Sequence, residues 1–363
     1  MRLDQGQQID GTLASWADIE SVCRWQTLLL GNGLSINLWP EFRYGSLYDK
    51  AKAGSGSFAK TDERLFAALD DTTNFELVLA HLKAAIRIAR ACGENVREFE
   101  RRYRSIQASL GSAVRAAHVS RANVPDSTLA EIRAALLSFE LVFTTSYDLI
   151  TYWAMGHRES FEGFCDYFWS NGRNEFDRGN ATIWNDVTPV FFLHGALHLI
   201  VDGSGTTRKR TRNVHMLLEQ FGRQIPGDPD ARPLLVTEGS FQDKLVAIED
   251  NEYLRFGLQT LRANGQPLVV FGHSLSAQDR HLIDAINEFP DRPVAVSIVP
   301  DRRSRVRSEQ AHARAVLETA RLYFYDSTTH RLGAKRLRAP RLLGVSGDCL
   351  ACAEGRAARC CSA

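Results

Sequence analysis

Residues 141–153 read LVFTTSYDLITYW. A short apolar burst runs into Thr144, Thr145, Ser146, Tyr147 and Asp148, and the chain then turns apolar again. An unbroken apolar run of this length is how a strand of a parallel sheet reads when both of its faces are covered. The C-terminal end of such a strand borders the crevice in which open α/β sheets bind ligands. Small hydroxyls and one carboxylate at that end therefore mark a candidate site.

Downstream the same rhythm recurs. PVFFLHG (189–195), PLLVT (233–237), PLVVFG (267–272), PVAVSIV (293–299) and LYFYD (322–326) read as strands, and QTLLLG (26–31) reads as another near the start. DRHLIDAINEF (279–289) and SEQAHARAVLETA (308–320) space their apolar residues three or four apart, as helices do. Apolar strands alternating with helices predict an α/β fold with a Rossmann-like, doubly wound, mostly parallel sheet. Between the first strand and Leu141 the pattern is helical over 62–138, in ERLFAALDD, NFELVLAHLKAAIRIARACG and TLAEIRAALLSF. VPDSTLAE places Asp126 and Ser127 just ahead of a helix, as N-caps. The reading is one domain over 1–340 with an inserted helical subdomain over approximately 50–138. Residues 155–188, with FCDYFWSNGRNEF, are aromatic and irregular and read as a packed loop; no internal repeat is present.

The chain has 363 residues, 44% hydrophobic and 24% charged, which is ordinary for a globular protein. A net charge of +1 excludes a polyanion partner recognised by global charge. The local basic runs, RKRTR (208–212) and RRSRVR (302–307), read as solvated faces, so no nucleic-acid partner is expected. No run approaches the ~20 apolar residues of a membrane span, and MRLDQGQQID has no signal-peptide core. Cys23, Cys92 and Cys165 lie far apart, which suits a reducing compartment, and a cytoplasmic location is expected. Cys349, Cys352, Cys360 and Cys361 crowd the end of the chain, where CLAC and CC read either as zinc ligands or as part of a loose tail. Their Gly, Ala and Arg neighbours favour a flexible tail over 341–363, and no metal is expected.

Four strand ends carry groups with chemistry. LLLGNGLS supplies Gly31, Asn32, Gly33 and Ser35, which read either as a shortened phosphate-binding fingerprint or as a tight turn. LVFTTSYD supplies Thr144, Thr145, Ser146 and Asp148. FFLHGALHL supplies His194 and Gly195, and VVFGHSLSAQD supplies Gly272, Ser274 and Asp279. Taken singly, His194 reads as a core histidine, Asp279 as a carboxylate favoured by a helix N-terminus, and His198 and His273 as structural.

Together and in this order, the four resemble the sirtuin-like family. Its series runs Gly-x-Gly-x-Ser, Thr-Thr-Asn-Tyr-Asp (Thr-Gln-Asn-x-Asp in the deacylases), His-Gly, and Gly-x-Ser-Leu; here the chain reads GNGLS, TTSYD, LHG and GHSL. The helical insertion, LHGALHL and TEGSFQDKL look most like an uncharacterised bacterial branch related to NAD-consuming anti-phage defence proteins. The resemblance implies NAD+ as substrate and an NAD+ glycohydrolase activity in a phage-defence (abortive infection) setting. Gly31, Asn32, Gly33 and Ser35 would hold the pyrophosphate, and Thr144, Thr145 and Asp148 the nicotinamide end. Gly272 and Ser274 would hold the adenosine side, and His194, next to Gly195, falls on the catalytic histidine. Cleavage of the nicotinamide–ribose bond passes through an oxocarbenium-like centre and calls for a positioned water and a base of near-neutral pKa.

The chain departs from the family at Ser146, which stands where the family has asparagine. A serine hydroxyl is shorter and lacks the amide NH2, so a non-catalytic nucleotide sensor or assembly subunit is the alternative. A deacylase would carry two CxxC pairs between the third and fourth motifs, and no cysteine occurs between Cys165 and Cys349. An unrestrained NAD+ hydrolase would drain its own cell. The expected partners are therefore further copies of the chain, as a homo-oligomer, or a second defence protein such as an ATPase.

Overall fold

The described residues are 10–53, 60–157, 161–169, 172, 174–182, 187–210, 231–237 and 240–340 of a computed structural model. The expected tail over 341–363 lies outside them. Strand β1 (Thr27–Leu30) is buried at every position. It pairs in parallel with β2 (Leu141–Thr144) on one side and with β8 (Leu268–Phe271) on the other, so Leu30 stands level with both Thr144 and Phe271. β3 (Phe164–Cys165) and β4 (Thr188–Phe192) extend the sheet beyond β2; β9 (Pro293–Ile298) and β10 (Arg321–Asp326) extend it beyond β8. The order is β10-β9-β8-β1-β2-β4-β3, with every pair parallel. The chain thus fills one side of β1 and then the other, which makes the β1–β8 boundary the switch point of a Rossmann-like α/β sheet.

One expected strand belongs elsewhere. PLLVT falls in β7 (Arg232–Leu235), which pairs antiparallel with β5 (Gly195–Val201) in a separate sheet of order β6-β5-β7, with β6 at Thr207–Lys209. The reason is chain length: only Leu193 and His194 separate β4 from β5, and a parallel return needs a crossover of about a dozen residues. The 155–188 stretch also contributes more than a loop, since β3 is an edge strand and Phe164, Cys165, Tyr167 and Phe168 are buried in the core.

Helix α1 (Trp16–Glu20) precedes β1 and α2 (Gly33–Leu38) follows it; the helical stretch after them divides by its packing. In α3 (Tyr44–Ala53), α4 (Lys60–Ala67), α5 (Phe75–Ala91) and α6 (Arg97–Ala117), the buried residues from Leu47 to Ala117 form an apolar cluster of their own. From Val119 onward, including α7 (Asp126–Leu136), the buried residues join the core beneath the sheet. Asp126 and Ser127 are not caps: Pro125 takes the N-cap position and both residues lie in the first turn, where Asp126 accepts from Arg121. α8 (Ile150–Met155) is wholly buried. Helices α9 (Phe241–Glu249), α10 (Glu252–Arg262), α11 (Arg280–Asn287) and α12 (Arg303–Val316) follow among the later strands. No helix among the described residues is long and apolar enough to cross a membrane.

Candidate active site

The four motif-bearing stretches meet at the C-terminal ends of β1, β2, β4 and β8. Gly31 N–H donates to Phe271 O (2.9 Å) and Gly33 N–H to Gly272 O (2.8 Å) across the switch point. Thr145 N–H donates to Leu30 O (2.9 Å), and Leu193 N–H to Thr144 O (2.8 Å). Ser35 Oγ donates to Asp148 Oδ2 (2.5 Å), and Asp148 Oδ1 accepts from Ile150 N–H (2.8 Å). Asn32 Nδ2 donates to Phe42 O (3.1 Å), and Ser274 is exposed.

Three glycines here are dictated by geometry. Gly272 has φ +64°, and a Cβ on it would stand 2.6 Å from Gly33 Cα; a Cβ on Gly33 would stand 2.4 Å from Gly272 Cα. Gly195, at φ +76°, would press a Cβ onto the Leu234 carbonyl oxygen. The Cβ position of Gly33 is therefore taken by the backbone of residue 272. The amides of Gly31 and Gly33 are likewise spent on the neighbouring loop. These glycines let two loops touch, and a side chain at 33 would part them. Ser35 and Asp148, assigned by resemblance to opposite ends of a dinucleotide, here bond to each other.

His194 enters a buried polar cluster that extends well beyond the motifs. Its Nε2 lies 3.0 Å from His281 Nε2 and 3.8 Å from Asp279 Oδ1. Asp279 Oδ1 accepts from Lys244 Nζ (2.9 Å), which also donates to Glu76 Oε2 (3.0 Å), and Asp279 Oδ2 lies 3.5 Å from His273 Nε2. Lys244 is only 1% exposed, so its charge persists because two carboxylates face it. Burial works to lower the Lys244 ammonium, but Glu76 and Asp279 reverse that and raise it. Burial raises the Glu76 carboxyl against the pull of Lys244. Burial also works to raise Asp279, yet the groups facing it, His194 and then Lys244, outweigh burial and hold it below the ordinary carboxylate range. Burial, and then the Lys244 charge, push His194 well below its ordinary 6.5, and burial takes His281 to about 4. Both rings are neutral at neutral pH, so the lasting partner of Asp279 is Lys244. The near-neutral base expected of His194 is thus corrected to a buried, weakly basic imidazole.

Ser146 is 7% exposed and its hydroxyl has no hydrogen-bond partner among the described residues. An orphaned buried hydroxyl of this kind calls for a water or another polar partner. His198 stacks on Tyr152 (4.1 Å) and meets Phe192 edge-on, as a structural residue does. His273, read as structural, instead faces Asp279. His194, Asp279 and His281 bring ligand atoms within 4.8 Å of one another, as a metal site would. The carboxylate oxygen such an ion would need already accepts from the Lys244 ammonium, whose charge repels a cation.

Sequence reasoning missed Glu76, Lys244 and His281 and took Asp279 for a helix-end carboxylate. Asp279 does begin α11, but its side chain makes no capping bond. A usable signal was Lys244 within FQDKLVAIE, which shares a helix face with Phe241, Leu245 and Ile248. The basic runs, where described, are largely paired. Arg208 bonds Glu175 and Asp202, Lys209 bonds Asp166, and Arg305 bonds Asp301 and Glu309.

Fold and site together define an α/β protein with a doubly wound parallel sheet and a polar cluster at its strand ends. The chain belongs to the family described as "Domain of unknown function (DUF4917)", whose model matches residues 28–332. No curated protein matches it. Among solved structures, a chain described under "Structural Basis for the Mechanism and Regulation of Sir2 Enzymes" is similar at 12% identity, over 89% of this chain and 94% of that one, with a TM-score of 0.38. At that level the likeness assigns no residue and no activity to this chain.

Proposed function

We propose that the chain is an NAD+ glycohydrolase that breaks the bond between nicotinamide and ribose. The observation that carries this reading is the meeting of all four motif-bearing strand ends at one edge of the sheet, with His194 and the unpartnered hydroxyl of Ser146 among the groups they bring there. In the reaction the C–N bond breaks and its electron pair leaves with nicotinamide, which becomes neutral. The ribose carbon takes on oxocarbenium character, water adds to it, and the proton passes to the neutral imidazole of His194. Nicotinamide needs no strong acid to leave, so a weakly basic histidine suffices once the cation has formed. Glu76 and Asp279 against the single Lys244 give the cluster an excess negative charge beside that developing positive centre. The setting the resemblance implies is phage defence by NAD+ depletion in the cytoplasm, restrained by self-association or by a second protein.

The depressed basicity of His194 and the short Ser146 side chain favour a second reading, a nucleotide sensor that binds NAD+ without cleaving it. Incubation of the purified protein with NAD+ and chromatographic measurement of nicotinamide separates the two. The enzyme reading expects release that Ser146→Ala lowers and Ser146→Asn equals or raises. Binding without release in the parent, with activity appearing in Ser146→Asn, gives the sensor reading instead.

A further inference from the structure

A cavity of about 800 Å3 opens between the helical insertion and the α/β body, away from the motif residues except Tyr147. One wall is α6, with Arg104, Gln107 and Arg115; the facing wall is β7 and its continuation, with Arg232, Leu234 and Thr237. Residues 104, 107 and 115 follow one another at helical spacing and so share a face of α6. The side chains of Arg104 and Arg232 form no hydrogen bond or ion pair with any described residue. Two guanidinium groups on opposite walls therefore stand with their donors unspent, against a single lining carboxylate, Asp250. The rest of the lining is partly apolar, including Leu110, Leu234 and Leu254. A volume of this size lies within the range of small-molecule sites; a planar fork of donors suits carboxylate and phosphate alike, and a phosphate or pyrophosphate has oxygens enough for two forks where a carboxylate has two.

We propose that this cavity is a second ligand site, for an organic phosphate with an apolar or aromatic part of nucleotide size, gripped between Arg104 and Arg232. Its place gives the ligand a route to the strand ends. Val236, in the same wall, donates its N–H to His194 O (2.9 Å), and its carbonyl accepts from the Tyr147 hydroxyl. The Gln107 side chain reaches Thr237 (2.9 Å) across the same gap. An occupant would tie the insertion to the strand that holds His194 in place. The binding claim stands on the cavity alone; only its regulatory meaning rests on the glycohydrolase reading.

Calorimetric titration of the full chain with ADP, pyrophosphate and adenosine tests it, using the parent, Arg104→Gln, Arg232→Gln, the double variant and His194→Ala. Both arginines are exposed, so melting curves should match the parent and confirm folding. The expected result is ADP binding that weakens on the order of tenfold or more in each arginine variant. Adenosine should bind weakest, pyrophosphate more weakly than ADP, and His194→Ala should bind ADP as the parent does. The proposal is overturned if the parent does not bind ADP, if the double variant binds it equally, or if adenosine matches ADP. Arginine-dependent ADP binding in a protein that never cleaves NAD+ would leave this site standing and remove only the glycohydrolase reading.

Discussion

In the α/β body, Leu28, Val142, Val190 and Val269 pack across adjacent strands of one sheet, and the polar groups at the strand ends are locked in short bonds. In the helical insertion, Phe66, Phe75, Leu79 and Ile106 pack among α3, α4, α5 and α6, in a cluster separate from that core. Val114 packs against both clusters, but the named bonds between the two regions are polar. Glu76 meets Lys244, Arg87 and Lys83 meet Asp243, Gln107 meets Thr237, and the Trp39 indole donates to Ala117 O. Helix α9 is the hinge of this arrangement. Its Asp243 faces the insertion, and its neighbour Lys244 reaches both the insertion and Asp279 at the strand ends. Apolar contact is non-directional and tolerant of small shifts, whereas these bonds fix one position. The seating of the insertion and the geometry around His194 are therefore set by the same few charges.

The largest expected effect breaks that shared point. Lys244→Met leaves Asp279 and Glu76 buried without their cation, and should cost about 3–5 kcal/mol in urea unfolding. A cost below about 1 kcal/mol would show that the two carboxylates find other partners and that the regions are not joined here.

Acid should come next, and should act on the body alone. Its buried histidines, His194 and His281 among them, have folded pKa values below the ordinary 6.5. Their contribution is fully present above pH 6.5 and is lost as pH falls toward the folded value, about 4 for His281. Between pH 6.5 and about 5 each should cost about 2 kcal/mol. Helix α5 carries only the exposed His81, whereas the buried His118 caps α6, so hydrogen exchange in α5 should show no such slope of its own. Equal acid sensitivity in both regions would contradict the distinction.

Smaller still is Glu76→Gln, which keeps an acceptor for Lys244 but removes a charge. It should lower stability by about 1 kcal/mol and speed exchange in α5 more than in the sheet. Exchange unchanged in α5 would mean that Glu76 does not seat the insertion. Asp243→Asn should cost less than about 1 kcal/mol, an effect fading at about 0.5 M salt because the pair is near the surface. A larger, salt-independent loss would place Asp243 in a buried role.

The same contrast explains what could be read from residues alone. The parallel strands were legible because burial on both faces leaves an unbroken apolar run, as in TLLL and LVVF. β5 was not, since GALHLIV carries a histidine and belongs to a sheet set by a two-residue connection rather than by a crossover helix. The strand-end residues were legible through their order along the chain. Glu76, Lys244 and His281 were not, because each sits on a helix where its type has an ordinary explanation. Glu76 follows the N-cap Asn74, where a carboxylate suits the helix dipole. Only the fold, by laying α5 and α9 over the strand ends, joins these three to His194 in one buried cluster.

The proposed glycohydrolase has one NAD+-cleaving site at the strand ends, in which His194 takes the proton. Its most direct test is the rate of nicotinamide release from NAD+ by the parent and by His194→Ala, with NAD+ affinity measured for both. Loss of a general base lowers turnover roughly 10²–10⁴-fold, and a fall of that size is expected in His194→Ala, with affinity changed far less. Release by His194→Ala at the parent's rate would contradict it.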